Sequence, residues 1–171
     1  MSENNSKKLI INGLLYVGGL LSLNFLLKVS NNTILSIIAF AISVANLVLM
    51  YRFAIRYRDE FNEGTISFGK SFRFLFQLYF YGNIITSIIV LIYAAVINPN
   101  FSEMLTSQAL TVYEKLNIPV TDSTYNLVQT MYQPVPMAFI NILSGAFGAA
   151  FWALILSLFV KKDKSIFDQQ Q

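Results

Sequence analysis

Four stretches of this chain are apolar over 18 to 26 residues, and none of them contains Asp, Glu, Lys or Arg. A helix needs about 20 apolar residues to cross the hydrocarbon core of a bilayer. The whole chain is 55% hydrophobic and only 12% charged, against about 25% charged residues in soluble domains. We therefore predict an all-α integral membrane bundle, forming one membrane domain over residues 1–171. The predicted spans are residues 9–27, 34–51, 74–96 and 135–160.

The basic residues predict how the chain is oriented in the membrane. Ten of the twelve Lys and Arg residues lie in the N-terminal tail, in the loop 52–73 and in the C-terminal tail, which share one side. Only Lys28 and Lys115 lie on the other side. Because Lys and Arg are enriched in cytoplasmic loops, both termini and the loop 52–73 are predicted to be cytosolic, and residues 97–134 extracytoplasmic.

The loop 52–73 contains the sequence GTISFGKS at residues 64–71, which matches the phosphate-binding pattern GxxxxGK[ST]. A working loop of this kind joins a β-strand to a helix, so that free backbone N–H groups surround the phosphates. The charged residues before Gly64 form no strand pattern, and the next segment is a predicted span. We interpret the match as coincidental and expect no nucleotide.

The same stretch has the features of a membrane border. Phe68, Phe72, Phe76 and Phe80 recur every four residues, which places them on one helix face. Aromatic and basic residues favour the headgroup level, so the expected anchors are Lys70, Arg73, Phe72 and Phe76. Two interpretations stay open for residues 66–73: an interfacial helical turn before the third span, or the start of a long, tilted span.

The segment 97–134 predicts a short two-helix excursion between spans 3 and 4. Ser102 followed by Glu103 is a plausible helix start, and Thr121 or Asp122 could cap a second helix. Pro119 separates the two, because proline interrupts a helix. The excursion could be a lid, a docking surface for a partner, or a pair of helices that lie on the membrane without a ligand.

Each predicted span carries at least one amide side chain, and the polar residues in the spans are amides and hydroxyls. Such groups form hydrogen bonds between helices, or they line a pocket for a neutral solute. The spans contain the following polar residues: Asn12, Asn24, Ser36, Ser43, Asn46, Gln77, Asn83, Thr86, Ser87, Asn141, Ser144 and Ser157. The candidates for an intramembrane polar site are Asn46, Gln77, Asn83 and Asn141. A shared cavity would favour a carrier, and separate pairing would favour a structural role.

Small residues in the first and fourth spans predict close helix contacts. Such residues let helix backbones approach each other in a membrane, either within the bundle or between copies of the chain. Ser144 pairs with Gly148, and Gly145 with Ala149, at a spacing of four residues. The helix-packing candidates are Gly18, Gly19, Ser144, Gly145, Gly148 and Ala149.

The composition also limits the chemistry of the chain. There is no Cys and no His, which removes thiolate nucleophiles and imidazole ligands or bases. Asp59, Glu60 and Glu63 lie outside the spans beside basic residues, as in a solvated charged loop. We expect no catalytic residue, no cofactor and no metal. The expected partners are the lipid bilayer and a membrane protein or a second copy of the chain, and no nucleic acid is expected.

These observations favour a non-enzymatic accessory or interaction subunit, with a channel or carrier for a neutral or lipid-like molecule as the alternative. The sequence GTISFGKSF at 64–72, an aromatic third span ending in INPNF at 97–101, and the ending LSLFVKKDK at 156–164 together resemble a bacterial four-span family. That family is domain of unknown function 4199, found mainly in Bacteroidetes, and the resemblance covers roughly residues 8–164. It implies a bacterial cytoplasmic membrane protein, and it brings no known activity.

Overall fold

The computed structural model describes residues 2–162, and their side chains from residue 5 onward. Residues 163–171 lie outside the described part, and with them most of the predicted cytosolic C-terminal tail. The described chain consists of six α-helices, with one π-helical turn, Tyr93–Ile97, directly after α3. The helices are α1 Ser2–Val29, α2 Thr33–Phe61, α3 Phe68–Ile92, α4 Phe101–Lys115, α5 Asp122–Met131 and α6 Pro134–Val160.

Four of these elements are long and apolar enough to cross a membrane, namely Asn5–Val29, Thr33–Phe61, Phe68–Ile97 and Pro134–Val160. The predicted all-α class and the four apolar helices are therefore confirmed. Residues 2–162 contain no β-strand, and one isolated bridge pairs Ile66 with Lys162. The two helices predicted between the third and fourth spans are also present, as α4 and α5.

Helix α2 continues ten residues beyond the predicted end of the second span, so the segment 52–73 is mostly helical. Its last turns are charged, and Arg56 donates a hydrogen bond to Glu60 one turn later at 2.6 Å, a spacing that stabilises helices. The helix ends at Phe61, where the N–H groups of Asn62 and Gly64 both donate to the Arg58 carbonyl. Gly64 has a φ of 75°, a left-handed conformation that glycine adopts without strain.

Side-chain caps account for the starts of α2 and α5. The Asn32 side chain accepts from the N–H groups of Ile34 and Leu35, so α2 begins directly after the short turn from α1. Of the two caps considered for α5, Thr121 holds the position and accepts from the Thr124 N–H at 3.2 Å. Helix α4 begins at Phe101 with Asn100 as its N-cap, one residue before the Ser102 considered from the sequence.

The described part of the chain divides into two compact units, residues 2–86 with 144–162 and residues 87–143. The first, called unit 1, contains α1, α2, the start of α3 and the end of α6. Its core is made of fully or almost fully buried side chains from all four helices and from the α2–α3 turn. The core residues are Val17, Met50, Ala54, Ile66, Phe74, Leu75, Leu78, Ala153 and Val160.

The second, called unit 2, contains the end of α3, the π-helical turn, α4, α5 and the start of α6. Phe101 packs edge-on against Tyr93, with ring centroids 5.1 Å apart, and Val128 of α5 is buried. Ser87 donates a hydrogen bond to Asn141 Oδ1 at 2.8 Å. The rest of α4 and α5 is largely exposed.

Candidate functional site

The segment GTISFGKS does not have the geometry of a phosphate-binding loop. A helix, α2, precedes it in place of a strand, and α3 already begins at Phe68. The N–H groups of Gly64, Thr65 and Ile66 donate to the carbonyls of Arg58, Asn62 and Lys162, at 3.2, 2.9 and 2.9 Å. A phosphate cradle needs such N–H groups free to point at the ligand, and these three are already committed to the protein.

The segment instead fastens the end of α6. Ile66 and Lys162 exchange two backbone hydrogen bonds, of 2.9 and 3.0 Å, and the Arg58 guanidinium donates to the Val160 carbonyl at 3.3 Å. We name these contacts of Arg58 and Ile66 with residues 160–162 the α6 clasp. The sequence did not predict this pairing, since residues 64–71 were interpreted only as a membrane border.

The predicted border anchors lie around the start of α3. Lys70 and Arg73 are exposed, while Phe72 and Phe76 are half-buried. Lys70 also lines an open pocket of about 460 Å³ together with Lys162, Thr65 and Ser67. The aromatic row on one face of α3 exists as stacked pairs, with centroids 6.3 Å apart for Phe68 and Phe72, 6.1 Å for Phe72 and Phe76, and 5.5 Å for Phe76 and Phe80. Ile66 and Ser67 lie before the helix rather than in it.

Gly18 lies at a close backbone contact between α1 and α3. A methyl group placed on Gly18 would lie 3.0 Å from the Gly82 carbonyl oxygen, and one placed on Gly82 would lie 3.0 Å from the Gly18 nitrogen. Ser22 and Thr86 share a hydrogen bond of 3.2 Å beside this contact, and Ser22 donates to the Gly18 carbonyl at 2.7 Å. The contact involves Gly18 and not Gly19, whose Cα faces open space.

The small residues of α6 divide in a similar way. A methyl group on Gly145 would lie 1.9 Å from Asn83 Nδ2 and 2.2 Å from its Cγ, so this amide occupies the space that the glycine leaves. A methyl group on Gly148 would lie 3.6 Å from the Tyr79 hydroxyl, which is an ordinary contact. Ala149 is fully buried and Ser144 is exposed. Gly82 was not among the sequence candidates, although its spacing from Thr86 on one helix face could have suggested it.

The four candidate amides have different surroundings in the part of the chain that the structure describes. Asn83 packs against Gly145 in unit 1, and Asn141 accepts from Ser87 in unit 2. Gln77 is half-buried and does not line the pocket described next. Asn46 is buried and lines that pocket. By the criterion stated from the sequence, this arrangement favours structural roles for Asn83 and Asn141 over a common solute path.

Asn46 lines a pocket of about 370 Å³ between α1 and α2, which we name the α1–α2 pocket. Asn24 of α1 donates from its Nδ2 to the Ala39 carbonyl and, at 2.7 Å, to Ser43 Oγ. These bonds tie α1 to α2 at one wall of the pocket. Because the turn at residues 30–32 is short, Asn24 near the end of α1 lies beside the first turns of α2. The short distance of Asn24 from the turn could have predicted this pairing from the sequence. The polar lining residues are Asn24, Lys28, Ser43, Asn46, Tyr79 and Trp152.

Helices α4 and α5 present apolar side chains to the outside of unit 2. Leu116 is 63% exposed and Leu127 is 61% exposed. Val112 of α4 lies one turn before Leu116, the residue that directly follows α4, and Met131 lies one turn after Leu127 in α5, so each region carries an exposed apolar pair. We name these four residues the α4–α5 apolar face. Between the helices lies a polar cleft of about 310 Å³ that includes Ser102, Thr106 and Gln129.

No group of three or more carboxylates among the residues that the structure describes could hold a metal ion. The described site features are thus helix contacts, a clasp, a pocket and an apolar face.

Four helices long and apolar enough to cross a membrane indicate a multi-pass membrane protein. A family model for a protein of unknown function, DUF4199, matches residues 10–162, and the chain belongs to that family. The resemblance seen in GTISFGKSF and INPNF is therefore confirmed. No curated protein and no solved structure matches the chain.

Proposed function

We propose that this chain is a non-enzymatic accessory or interaction protein of the bacterial cytoplasmic membrane, with both termini in the cytosol. The observation that carries this proposal is the α4–α5 apolar face. Its side chains lie outside the four apolar helices, so crossing the membrane does not account for their exposure. Exposed apolar patches outside lipid often mark interaction sites. The proposed partner is another membrane protein that meets this face on the extracytoplasmic side.

The small residues support this choice of surface. Gly18 packs against Gly82, and Gly145 packs against Asn83, all within unit 1. These two glycines are therefore not available for contact with a partner. An interaction surface is therefore better sought on α4 and α5. The alternative, a channel or carrier for a neutral or lipid-like molecule, is less well supported, because Asn46, Asn83 and Asn141 have separate environments.

Site-specific photocrosslinking in intact cells tests the proposal. A photoreactive amino acid replaces Leu127, and the matched control replaces Glu114, which is exposed and lies about 200° around α4 from both Val112 and Leu116. We expect one discrete heavier adduct from position 127 and none from 114. Native mass spectrometry of the gently extracted protein should then show a second protein at fixed stoichiometry. Position 127 reacting with lipid alone, or equal adducts from both positions, would contradict the proposal.

The orientation is tested separately. Reporter fusions near Asn62 and near Val120 should report the cytosol and the outside, respectively, because ten of twelve basic residues lie on the side that contains residue 62. A fusion at Asn62 that reports the outside would reverse the orientation and move the α4–α5 apolar face to the cytosolic side.

A further inference from the structure

The α1–α2 pocket has the size of a small-molecule site and lies among the apolar helices of unit 1. Its volume of about 370 Å³ lies near the lower end of the range of about 300–1,000 Å³ found for such sites. Along α1 its lining extends from Leu20 to Lys28, about 12 Å at the helical rise per residue. Tyr79 of α3 and Trp152 of α6 complete the walls, and all of these residues belong to unit 1.

Three side chains that line the pocket carry hydrogen-bond donors that the protein does not use. Asn46 is only 3% exposed and its Oδ1 has almost no accessible surface, so the amide atom that can reach the pocket is Nδ2. Neither this Nδ2, nor the Tyr79 hydroxyl, nor the Trp152 indole N–H makes a hydrogen bond with the residues that the structure describes. The Tyr79 hydroxyl lies beside Gly148, one turn of α6 before Trp152.

The three donors lie at a similar depth within the apolar helices. Asn46 and Tyr79 each lie six residues, about 9 Å, from the nearest arginine of their own helix, and Trp152 lies nine residues, about 13 Å, before Lys161. At this depth the hydrocarbon supplies no water, and an unpaired polar group is costly. Three unpaired donors around one pocket therefore point to a hydrogen-bond acceptor that is supplied from within the pocket.

The charges around the pocket indicate a neutral acceptor. No Asp or Glu lines the pocket, and its charged lining residue is Lys28, which disfavours a cation. Asn24 donates to Ser43, so Lys28 lies on the side of this contact nearer the α1–α2 turn, and Asn46 lies on the other side. An ionised carboxylate beside Asn46 would therefore be buried away from the Lys28 ammonium, at a high cost. The acceptor at this end is thus uncharged.

The remaining lining indicates an apolar skeleton with a carbonyl group. Apart from the polar residues, the pocket is lined by leucine, isoleucine and phenylalanine. A carbonyl oxygen has two lone pairs and accepts hydrogen bonds without adding another donor. The ester carbonyls of membrane lipids lie at the border of the hydrocarbon, which is too shallow for donors about 9 Å inside it. A carbonyl compound that dissolves in the hydrocarbon meets these conditions.

We propose that the α1–α2 pocket binds a neutral, lipid-soluble carbonyl compound, whose carbonyl oxygen accepts hydrogen bonds from Asn46 Nδ2 and the Tyr79 hydroxyl beside the Trp152 indole. The compound is either a long-chain ketone or a quinone with an alkyl side chain. This site does not depend on the accessory role, because the pocket lies in unit 1 and the α4–α5 apolar face in unit 2.

Fluorescence quenching tests the site directly, because Trp152 is the only tryptophan of the chain and it lines the pocket. The probe is a long-chain methyl ketone with bromine on its chain, added to the full chain in lipid nanodiscs. The matched control is the alkane of equal length with the same bromine atoms. We expect the ketone to quench Trp152 saturably at about tenfold lower concentration than the alkane, and the ketone without bromine should reverse the quenching. Equal quenching by the alkane, or quenching that is not reversed, would overturn the proposal.

Two pairs of variants separate the hydrogen bonds from general hydrophobic uptake. Tyr79→Phe removes one donor and keeps the ring, and Asn46→Leu removes the other at a similar side-chain volume. The controls Tyr81→Phe and Gln77→Leu remove the same groups from residues of α3 that do not line the pocket. We expect about tenfold weaker quenching affinity in each pocket variant and parental affinity in each control. Parental affinity of either pocket variant would contradict the proposed hydrogen bonds.

Both pocket variants should fold, because each removes a polar group that has no partner among the described residues. Their thermal unfolding should occur at or above the parental temperature. A weaker affinity with an unchanged unfolding temperature therefore reports the loss of a contact with the ligand rather than a loss of structure.

Native mass spectrometry of protein gently extracted from its own membrane distinguishes the two ligands. A bound compound with the absorption of a quinone, lost in Tyr79→Phe, identifies the ligand as a quinone. A bound aliphatic ketone that is lost in the same variant identifies the simpler compound. A retained compound that has no carbonyl group, and that blocks quenching by the ketone, would contradict the proposed chemistry.

Discussion

The two units bury their side chains in different ways. In unit 1, helices meet at glycines, with Gly18 against Gly82 and Gly145 against the Asn83 amide, and Val17, Met50 and Leu75 are completely buried. In unit 2, α4 and α5 bury only a few residues and leave most of their surface exposed. The main feature of unit 1 is thus the close packing between its helices, whereas the main feature of α4 and α5 is their exposed surface.

The proposed topology gives this difference a physical reason. In lipid, apolar side chains gain little by leaving the solvent, so helices associate through close packing and interhelical hydrogen bonds. Gly18 with Gly82 supplies the first, and the hydroxyls of Ser22 and Thr86 supply the second. The α4–α5 apolar face lies outside the four apolar helices, and in the proposed extracytoplasmic position its exposed apolar area would favour association. Substitutions should therefore act on stability in unit 1 and on association at this face.

The largest effect is expected at Gly145. In Gly145→Ala the new methyl group overlaps the Asn83 amide, which is short, branched at Cγ and only 7% exposed. We expect a loss of about 3 kcal/mol, at the upper end of the usual cost of overpacking, measured by thermal unfolding in detergent. Gly148→Ala is the control, because its methyl group meets Tyr79 at an ordinary distance. Equal stability of the two variants would show that Asn83 moves away easily.

The next effect concerns the adjacent glycines of α1. Gly18→Ala pushes a methyl group against the Gly82 backbone, which cannot rotate away, and we expect a loss of about 2 kcal/mol. Gly19→Ala meets nothing within 4 Å, and the better helix former should raise stability by about 0.5 kcal/mol. Thermal unfolding of both variants measures the difference. Identical shifts would mean that the α1–α3 approach does not limit the packing of unit 1.

How far these contacts could be predicted from the sequence depends on how local their causes are. Hydropathy predicts the four apolar helices, and capping chemistry predicts one of the two proposed starts of α5, because each signal lies within a few residues. The choice of Gly18 over Gly19 depends on which face of α1 meets α3. The sequence of two adjacent glycines does not indicate whether one or both of them contact another helix.

The α6 clasp and the α1–α2 pocket were missed for the same reason. Ile66 and Lys162 lie far apart in the sequence, so no local pattern around GTISFGKS predicts that they pair. Asn46, Asn83 and Asn141 are alike as intramembrane amides. Only the packing of the helices distinguishes them. Asn83 packs against Gly145, Asn141 accepts a hydrogen bond from Ser87, and Asn46 has an unpaired Oδ1 among the described residues.

A third prediction compares neighbouring residues of α5. Val128 is 5% exposed and Leu127 is 61% exposed. Val128→Ala removes two buried carbon groups at about 0.8 kcal/mol each, so we expect a loss of about 1.6 kcal/mol. Leu127→Ala should change the unfolding free energy by less than about 0.5 kcal/mol and reduce the yield of crosslinks from a photoreactive residue at position 131. If Leu127→Ala is the more destabilising variant, α5 packs through the face that we assign to association.

The smallest effect is expected in the α6 clasp, where a charged side chain holds a helix end of unit 1. Arg58→Ala removes the donor to the Val160 carbonyl, and a hydrogen bond of this kind contributes about 1 kcal/mol. Arg56→Ala is the matched control, because Arg56 pairs with Glu60 at the exposed surface of the same helix, where such pairs contribute at most about 0.5 kcal/mol. Hydrogen exchange of the Lys162 amide, which donates to the Ile66 carbonyl, should become faster in Arg58→Ala and stay parental in Arg56→Ala. Equal exchange in the two variants would mean that the backbone bridge between Ile66 and Lys162 holds the end of α6 without the guanidinium.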